Sequence, residues 1–214
     1  MTILITGASR GIGAGLAAHY AAQGRDVIGT GRSLASQMQL DVTQPASHNE
    51  MAEALGDKAI DLLICNAGVY LDKGNSLETG YGADLWAQTF ATNVTGVFLT
   101  IQALLPHLRR ARDAKIAIIS SQMASDTHAP GGSYIYRASK AAALNLGRNL
   151  ASDLKGEGIA VGIYHPGWVQ TDMGGGAADI TTEQSVQGLA ARFEALSVQT
   201  TGCFETWDGR THAY

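Results

Sequence analysis

A chain of 214 residues is long enough for one α/β domain with a sizeable core and short for two. Hydrophobic residues make up 45% and charged residues 16%, a globular balance that excludes a disordered chain. The net charge of −4 argues against nucleic acid as the main partner, since phosphate-backbone binders present a basic face.

Thr2–Thr6 is a short apolar run and predicts the first strand, followed by a glycine-rich turn and an Ala-rich helix over Ile12–Gln23. Val27–Gly31 predicts a second strand. The link from Arg32 to Leu40 is too short for a full helix, so one crossover should shrink to a loop or a single turn. Leu62–Cys65 follows as a strand, Ala83–Arg110 as a long helical run, Ile116–Ser120 as a strand and Tyr134–Lys155 as a second long helix. Ala160–Tyr164 predicts another strand; Thr181 or Thr182 caps a helix through Leu196, and Cys203–Trp207 forms the last strand before a turn at Asp208-Gly209. The strands are continuously apolar, as expected where helices cover both faces of a parallel sheet. The expected architecture is therefore a single-domain, Rossmann-type doubly wound sheet of about seven strands over residues 1–214, with ligands at the strands' carboxyl ends.

Several features bear on setting. Cys65 and Cys203 lie far apart in apolar stretches and read as reduced, buried thiols of a cytoplasmic protein. Met1 runs straight into the first strand with no signal peptide, and no apolar run approaches the roughly 18 residues of a membrane span. The six histidines have no partners at zinc spacing, so no metal site is expected. Arg109, Arg110, Arg112 and Lys115 form the one basic cluster and read as cations complementing a helix C-terminus.

The turn reads Thr6-Gly7-Ala8-Ser9-Arg10-Gly11-Ile12-Gly13. Gly7 allows a positive φ, and Gly11 and Gly13 remove the Cβ atoms that would block a pyrophosphate and tight helix packing. Helix N–H groups then face the anion. The spacing is G-x-x-x-G-x-G, and no G-K-[ST] follows, which excludes an ATP-cleaving P-loop. At the end of the second strand stands Thr30-Gly31-Arg32-Ser33 in place of an acidic residue. Arg32, with Arg10 opposite, favours the 2′-phosphate of NADP(H) over NAD(H).

Tyr136 and Lys140 stand one helical turn apart, on the same helix face. A nearby ammonium should lower the phenol's pKa and suit it to acid–base work. Asn93 interrupts an apolar helical stretch, where a polar task or a buried, backbone-satisfied amide both account for it.

With Asp41-Val42-Thr43, Asn66-Ala67-Gly68, Asn93-Val94-Thr95-Gly96, Ser120-Ser121, Tyr136-Arg137-Ala138-Ser139-Lys140 and Pro166-Gly167-Trp168-Val169-Gln170-Thr171 in this order, the chain resembles a classical short-chain dehydrogenase/reductase. The stretches from Gly131 to Arg137 and from Pro166 to Gly175, with Trp207-Asp208-Gly209, resemble its C-factor-like branch. The resemblance implies a hydride-transferring oxidoreductase acting on a small carbonyl or alcohol, with Asn93, Ser121, Tyr136 and Lys140 as catalytic residues. Tyr136 would move the proton, Ser121 would bond the substrate oxygen (Ser125 and Ser120 being the other serines within reach), Lys140 would hold the nicotinamide ribose, and Asn93 would anchor a water relay. Cofactor contacts would come from Gly7, Ser9, Arg10, Gly11, Ile12, Gly13, Arg32, Asp41, Val42, Asn66, Ala67, Gly68, Pro166, Gly167, Val169 and Thr171. The glycine-rich segment of residues 172–180 would close over the substrate, with Met123, Met173 and Trp168 as apolar lining and no charge set aside for a substrate anion. The resemblance also implies a homodimer or homotetramer. A cofactor-sensing regulator on the same fold is the alternative function.

Overall fold

The computed structural model describes residues 1–33 and 36–214. Among the described residues, seven parallel strands form one sheet in the order β3-β2-β1-β4-β5-β6-β7. They are β1 (Thr2–Ile5), β2 (Asp26–Gly31), β3 (Met38–Gln39), β4 (Leu62–Cys65), β5 (Lys115–Ile119), β6 (Ala160–His165) and β7 (Phe204–Thr206). The winding reverses between β1 and β4, where a crevice opens beyond the strand ends.

Alternation along each strand explains why these segments are apolar throughout. Leu4, Leu63, Cys65, Ile116 and Ile118 face one layer of helices, while Ile3, Ile5, Leu62, Ile64, Ala117 and Ile119 face the other. The first layer contains α2 (Pro45–Leu55), α4 (Gly96–Arg109) and α5 (Tyr134–Leu154), and the second α1 (Gly11–Ala22) and α6 (Thr182–Ala195). Val186, Leu189 and Phe193 form the buried stripe of α6. Each such side chain contributes roughly 1.5–3 kcal/mol of apolar burial. Thr181 starts that helix through a capping box with Gln184.

The sequence misses two elements. β3 is only two residues long, and α2 presents little apolar surface. In the short link between β2 and β3 the Ser36 N–H donates to the Ser33 carbonyl; Leu34 and Ala35, where the loop or single turn is expected, lie outside the described residues. The expected long helix at Ala83–Arg110 is α3 (Ala83–Phe90), a π-helical turn at Ala91–Thr95, then α4. Contrary to the expectation of no long apolar run, Ala83–Arg109 is a 27-residue helical stretch that could cross a membrane by length and composition alone. Its α4 half instead places Val97, Ile101, Leu104 and Leu108 in the core.

Two further expectations change. Cys65 is fully buried, but Cys203 is only partly so. Lys115 does complement a helix C-terminus, donating to the Phe193 and Glu194 carbonyls at 3.1 and 2.7 Å, but that end belongs to α6. Arg109, Arg110 and Arg112 pair with Glu157, Asp57 and Asp113.

Candidate active site

A cleft of about 620 Å³ runs across the carboxyl ends of the central strands. Its floor is the glycine turn. Gly7 holds φ +66°, and a Cβ there would lie 3.0 Å from Ala67 Cα. Gly13 is more constrained: its Cβ would sit 2.3 Å from the Gly7 carbonyl oxygen and 2.5 Å from Asn66 Nδ2. The Asn66 amide is the lock on this turn, donating to the Thr6 and Gly7 carbonyls at 3.0 and 3.1 Å. Thr6 Oγ1 answers by accepting the Asn66 and Ala67 N–H groups, each at 3.0 Å. α1 begins with no side-chain cap and no acidic residue in its first turn. Its free N–H groups and positive end fit a pyrophosphate, so the cradle matches a dinucleotide.

Toward the other end of the cleft lie Arg32, Asp41 and Val42. The Asp41 carboxylate accepts the Thr43 N–H and hydroxyl at 2.9 and 2.7 Å. The Thr43 hydroxyl bond is the main reason its carboxyl stays below the usual range, with Arg32 adding a smaller attraction. Arg10 departs from expectation: instead of standing free opposite Arg32, it pairs with Asp172 at 2.6 Å across the cleft mouth. The segment after β6 is thereby tied to the glycine turn.

The buried wall carries Tyr136 and Lys140 from the first turns of α5. Burial pushes the Tyr136 phenol up to about 12, opposed by its hydrogen bond with Ser121. Burial likewise pulls the Lys140 ammonium down to about 8. The expected depression of the phenol by Lys140 is therefore not the dominant effect. Lys140 Nζ lies 5.7 Å from the phenol ring centroid and donates to the Ile119 carbonyl at 2.9 Å. Of the three serines within reach, Ser121 faces Tyr136, whereas Ser120 donates to the Lys140 carbonyl and Ser125 to the Tyr214 carbonyl.

Asn93 sits in the π turn and does not line the cleft. Its Oδ1 accepts the Val69 N–H at 2.8 Å, and its Nδ2 donates to the Val69 carbonyl and Ser139 Oγ. It staples the segment after β4 to α5. Two residues of that same segment give no signal in the sequence and yet frame the phenol. Tyr70 stacks on the Tyr136 ring with centroids 4.3 Å apart, and its hydroxyl hydrogen-bonds the Ser133 hydroxyl. Asp72, 0% exposed, accepts the Ile135 N–H at 2.9 Å and the Tyr136 N–H at 3.2 Å.

Gly7, Ser9, Arg10, Gly11, Ile12, Arg32, Asp41, Val42, Asn66, Ala67, Gly68, Pro166 and Thr171 line the cleft with Tyr136 and Lys140. Gly13, Gly167, Val169 and Ser121 do not. Gly13 serves helix packing, and Val169 is buried beneath a bridge to Ile180. Gly167 and Trp168 line a separate cavity of about 530 Å³ with His165, His212 and Trp207. His165, held near pH 4 chiefly by burial, belongs to that cavity. Of the expected apolar lining, only Met173 borders the cleft; Met123 does not, and Trp168 donates through Nε1 to the Gly174 carbonyl.

A parallel sheet with its crevice at the winding reversal, joining a phosphate-cradling turn to a buried phenol, defines a nicotinamide-dependent oxidoreductase of the Rossmann type. The chain belongs to the short chain dehydrogenase family, whose sequence pattern matches residues 1–182. A 1-hydroxy-2-glutathionyl-2-methyl-3-butene dehydrogenase of Rhodococcus sp. (strain AD45) is 34% identical over 225 residues, covering 97% of each chain. The C-signal protein of Myxococcus xanthus is 37% identical over 155 residues, 70% of this chain and 90% of that one. The NADPH-bound carbonyl reductase from chicken fatty liver superposes with a TM-score of 0.90 at 32% identity, covering 100% of this chain and 98% of that one.

Proposed function

We propose that the protein transfers hydride between NADP(H) and a small carbonyl or alcohol, with Tyr136 as the proton donor and acceptor. The observation that carries this reading is the position of the Tyr136 phenol, adjoining Lys140, on the wall of the cleft that begins at the glycine turn. When bound, the nicotinamide supplies or accepts the hydride.

Tyr136 delivers its hydroxyl proton to the carbonyl oxygen during reduction and takes it back during oxidation. Burial keeps the Tyr136 phenol protonated at neutral pH, so the proton is in place when reduction begins. Ser121 donates a hydrogen bond to the same oxygen and stabilises the charge that develops there. The Lys140 ammonium, buried beside the phenol, would hold the nicotinamide ribose. Gly7, Gly11 and the α1 N-terminus would hold the pyrophosphate, and Asp41 the adenine.

The preference for NADP(H) rests on Arg32, which borders the cleft directly after β2 where no acid is present to repel a phosphate. The chicken carbonyl reductase, bound to NADPH, supports the same choice. The Rhodococcus relative is named for a hydroxy compound and the chicken protein for carbonyl reduction, the two ends of one reaction class.

The test is NADPH oxidation against a panel of small aldehydes and ketones, with Tyr136→Phe as control. Turnover should fall by about 10²-fold or more in the variant while NADPH still binds. Wild-type turnover in Tyr136→Phe would sink the assignment.

A further inference from the structure

The segment between β4 and α3 touches the proposed proton donor twice, and neither contact belongs to the reaction described above. α5 starts abruptly. Its preceding residue, Ser133, is held in the left-handed region at φ +47°, and no local side chain caps the helix. The free N–H groups of a first turn need partners, and inside a protein they need them from elsewhere in the fold. Asp72 supplies them from more than 60 positions away, its Oδ2 taking the Ile135 N–H and its Oδ1 the Tyr136 N–H. The acceptor is therefore bonded to the backbone of the very residue that carries the phenol. Two residues earlier, Tyr70 lies flat against the Tyr136 ring and reaches with its hydroxyl to Ser133. The ring and the backbone of Tyr136 are thus both fixed by one short stretch of chain, which Asn93 in turn staples to α5 through Val69 and Ser139.

A carboxylate at this place has an electrostatic consequence as well as a geometric one. The titratable groups facing the phenol are Tyr70 and Asp72 from the segment after β4 and Lys140 from α5, while Ser121 presents a neutral hydroxyl from the loop after β5. Burial is the largest influence on the phenol, and Asp72 and Tyr70 both add to it by opposing the phenolate.

We propose that Tyr70 and Asp72 are positioning residues for Tyr136: Tyr70 fixes the ring from its face, and Asp72 fixes the backbone from which the phenol projects. The proposal rests on Tyr136 being the proton donor, and the experiment separates the two.

The experiment measures kcat and KM for NADPH-dependent reduction of the best aldehyde of the panel at pH 7. It compares wild type, Asp72→Asn, Tyr70→Phe and Tyr136→Phe, with NADPH binding followed by fluorescence. Asp72→Asn keeps the shape and one acceptor oxygen but removes the charge. Its kcat should fall by about tenfold, a lost charge-assisted hydrogen bond, with KM for NADPH unchanged. Tyr70→Phe keeps the stacked ring and loses the bond to Ser133. Its kcat should fall by about threefold, a lost neutral hydrogen bond, at unchanged NADPH affinity. A wild-type kcat in a folded Asp72→Asn, or in Tyr70→Phe, overturns the proposal. Should Asp72→Asn not fold, Tyr70→Phe decides alone. Wild-type turnover in Tyr136→Phe would instead remove the underlying assignment.

Discussion

Replacing Lys140 by methionine should make the protein more stable at neutral pH and catalytically dead. Lys140 is 5% exposed. Burial brings its ammonium down from the ordinary 10.5 to about 8 in the folded chain. Below pH 8 both folded and unfolded chains carry the proton, and the folded one bears the full cost of an ill-solvated charge, about 3 kcal/mol. Between pH 8 and 10.5 the unfolded chain keeps the proton that the folded chain has released, so wild-type stability from this group rises with pH. Methionine retains the stem's packing without the charge. It also leaves the Ile119 carbonyl without the bond it receives from Lys140, a loss of about 1–2 kcal/mol. The net expectation at pH 7 is a variant more stable by about 1–2 kcal/mol. Urea unfolding of both proteins from pH 6.5 to 10 measures the difference, a range that stops where unfolded tyrosines begin to ionise. The gap should be flat to about pH 8, vanish at about pH 9–9.5 and reverse by pH 10, where the wild type keeps its bond to the Ile119 carbonyl without the cost of the charge. A variant less stable than wild type at pH 7, or a gap that does not change with pH, would show that the buried charge is not the governing quantity.

Two further substitutions test the cleft. Gly13→Ala drives a methyl into the Gly7 carbonyl and the Asn66 amide that locks it, so both must shift. Stability in denaturant should drop by about 2–4 kcal/mol, and the NADPH dissociation constant should rise by about tenfold or more. Arg32→Ala removes the cation at the end of β2, and NADPH binding should weaken by about tenfold or more while NADH binding stays within about twofold. Equal effects on the two nucleotides would reject the 2′-phosphate assignment.

What the sequence makes legible is local. The glycine turn is read correctly because strand, turn and helix are contiguous, and the steric demand on Gly13 is met by Gly7 six residues away. That Tyr136 and Lys140 share a helix face is legible because helical periodicity alone places them there. The strands are legible because burial on both faces leaves them uniformly apolar. The misses have a different physical origin. In α2, Pro45 stands at the helix start and His48 occupies a core-facing place beside Met51 and Leu55, so the apolar stripe is interrupted. β3 pairs through only two residues, Met38 and Gln39. Arg10 looks like a phosphate ligand in isolation, yet its partner Asp172 lies 162 positions away and only the fold brings them together. Asp72 reads as an ordinary loop acid until α5 docks its first turn onto it.

The rule that an ammonium one turn away acidifies a phenol also fails for a reason visible in the fold. Spacing sets which face a side chain leaves from, not where its charged end comes to rest. Lys140 Nζ turns to the Ile119 carbonyl at the end of β5, and burial acts on both groups in the sense opposite to the pairing. A phenol held near 12 and an ammonium held near 8 each give up charge to the low-dielectric wall. On the roles proposed for them, neutral pH leaves Tyr136 in the acid form that carbonyl reduction consumes, whereas alcohol oxidation requires the phenolate that burial, Tyr70 and Asp72 all oppose. Ser121, whose hydrogen bond favours the phenolate, works against all three.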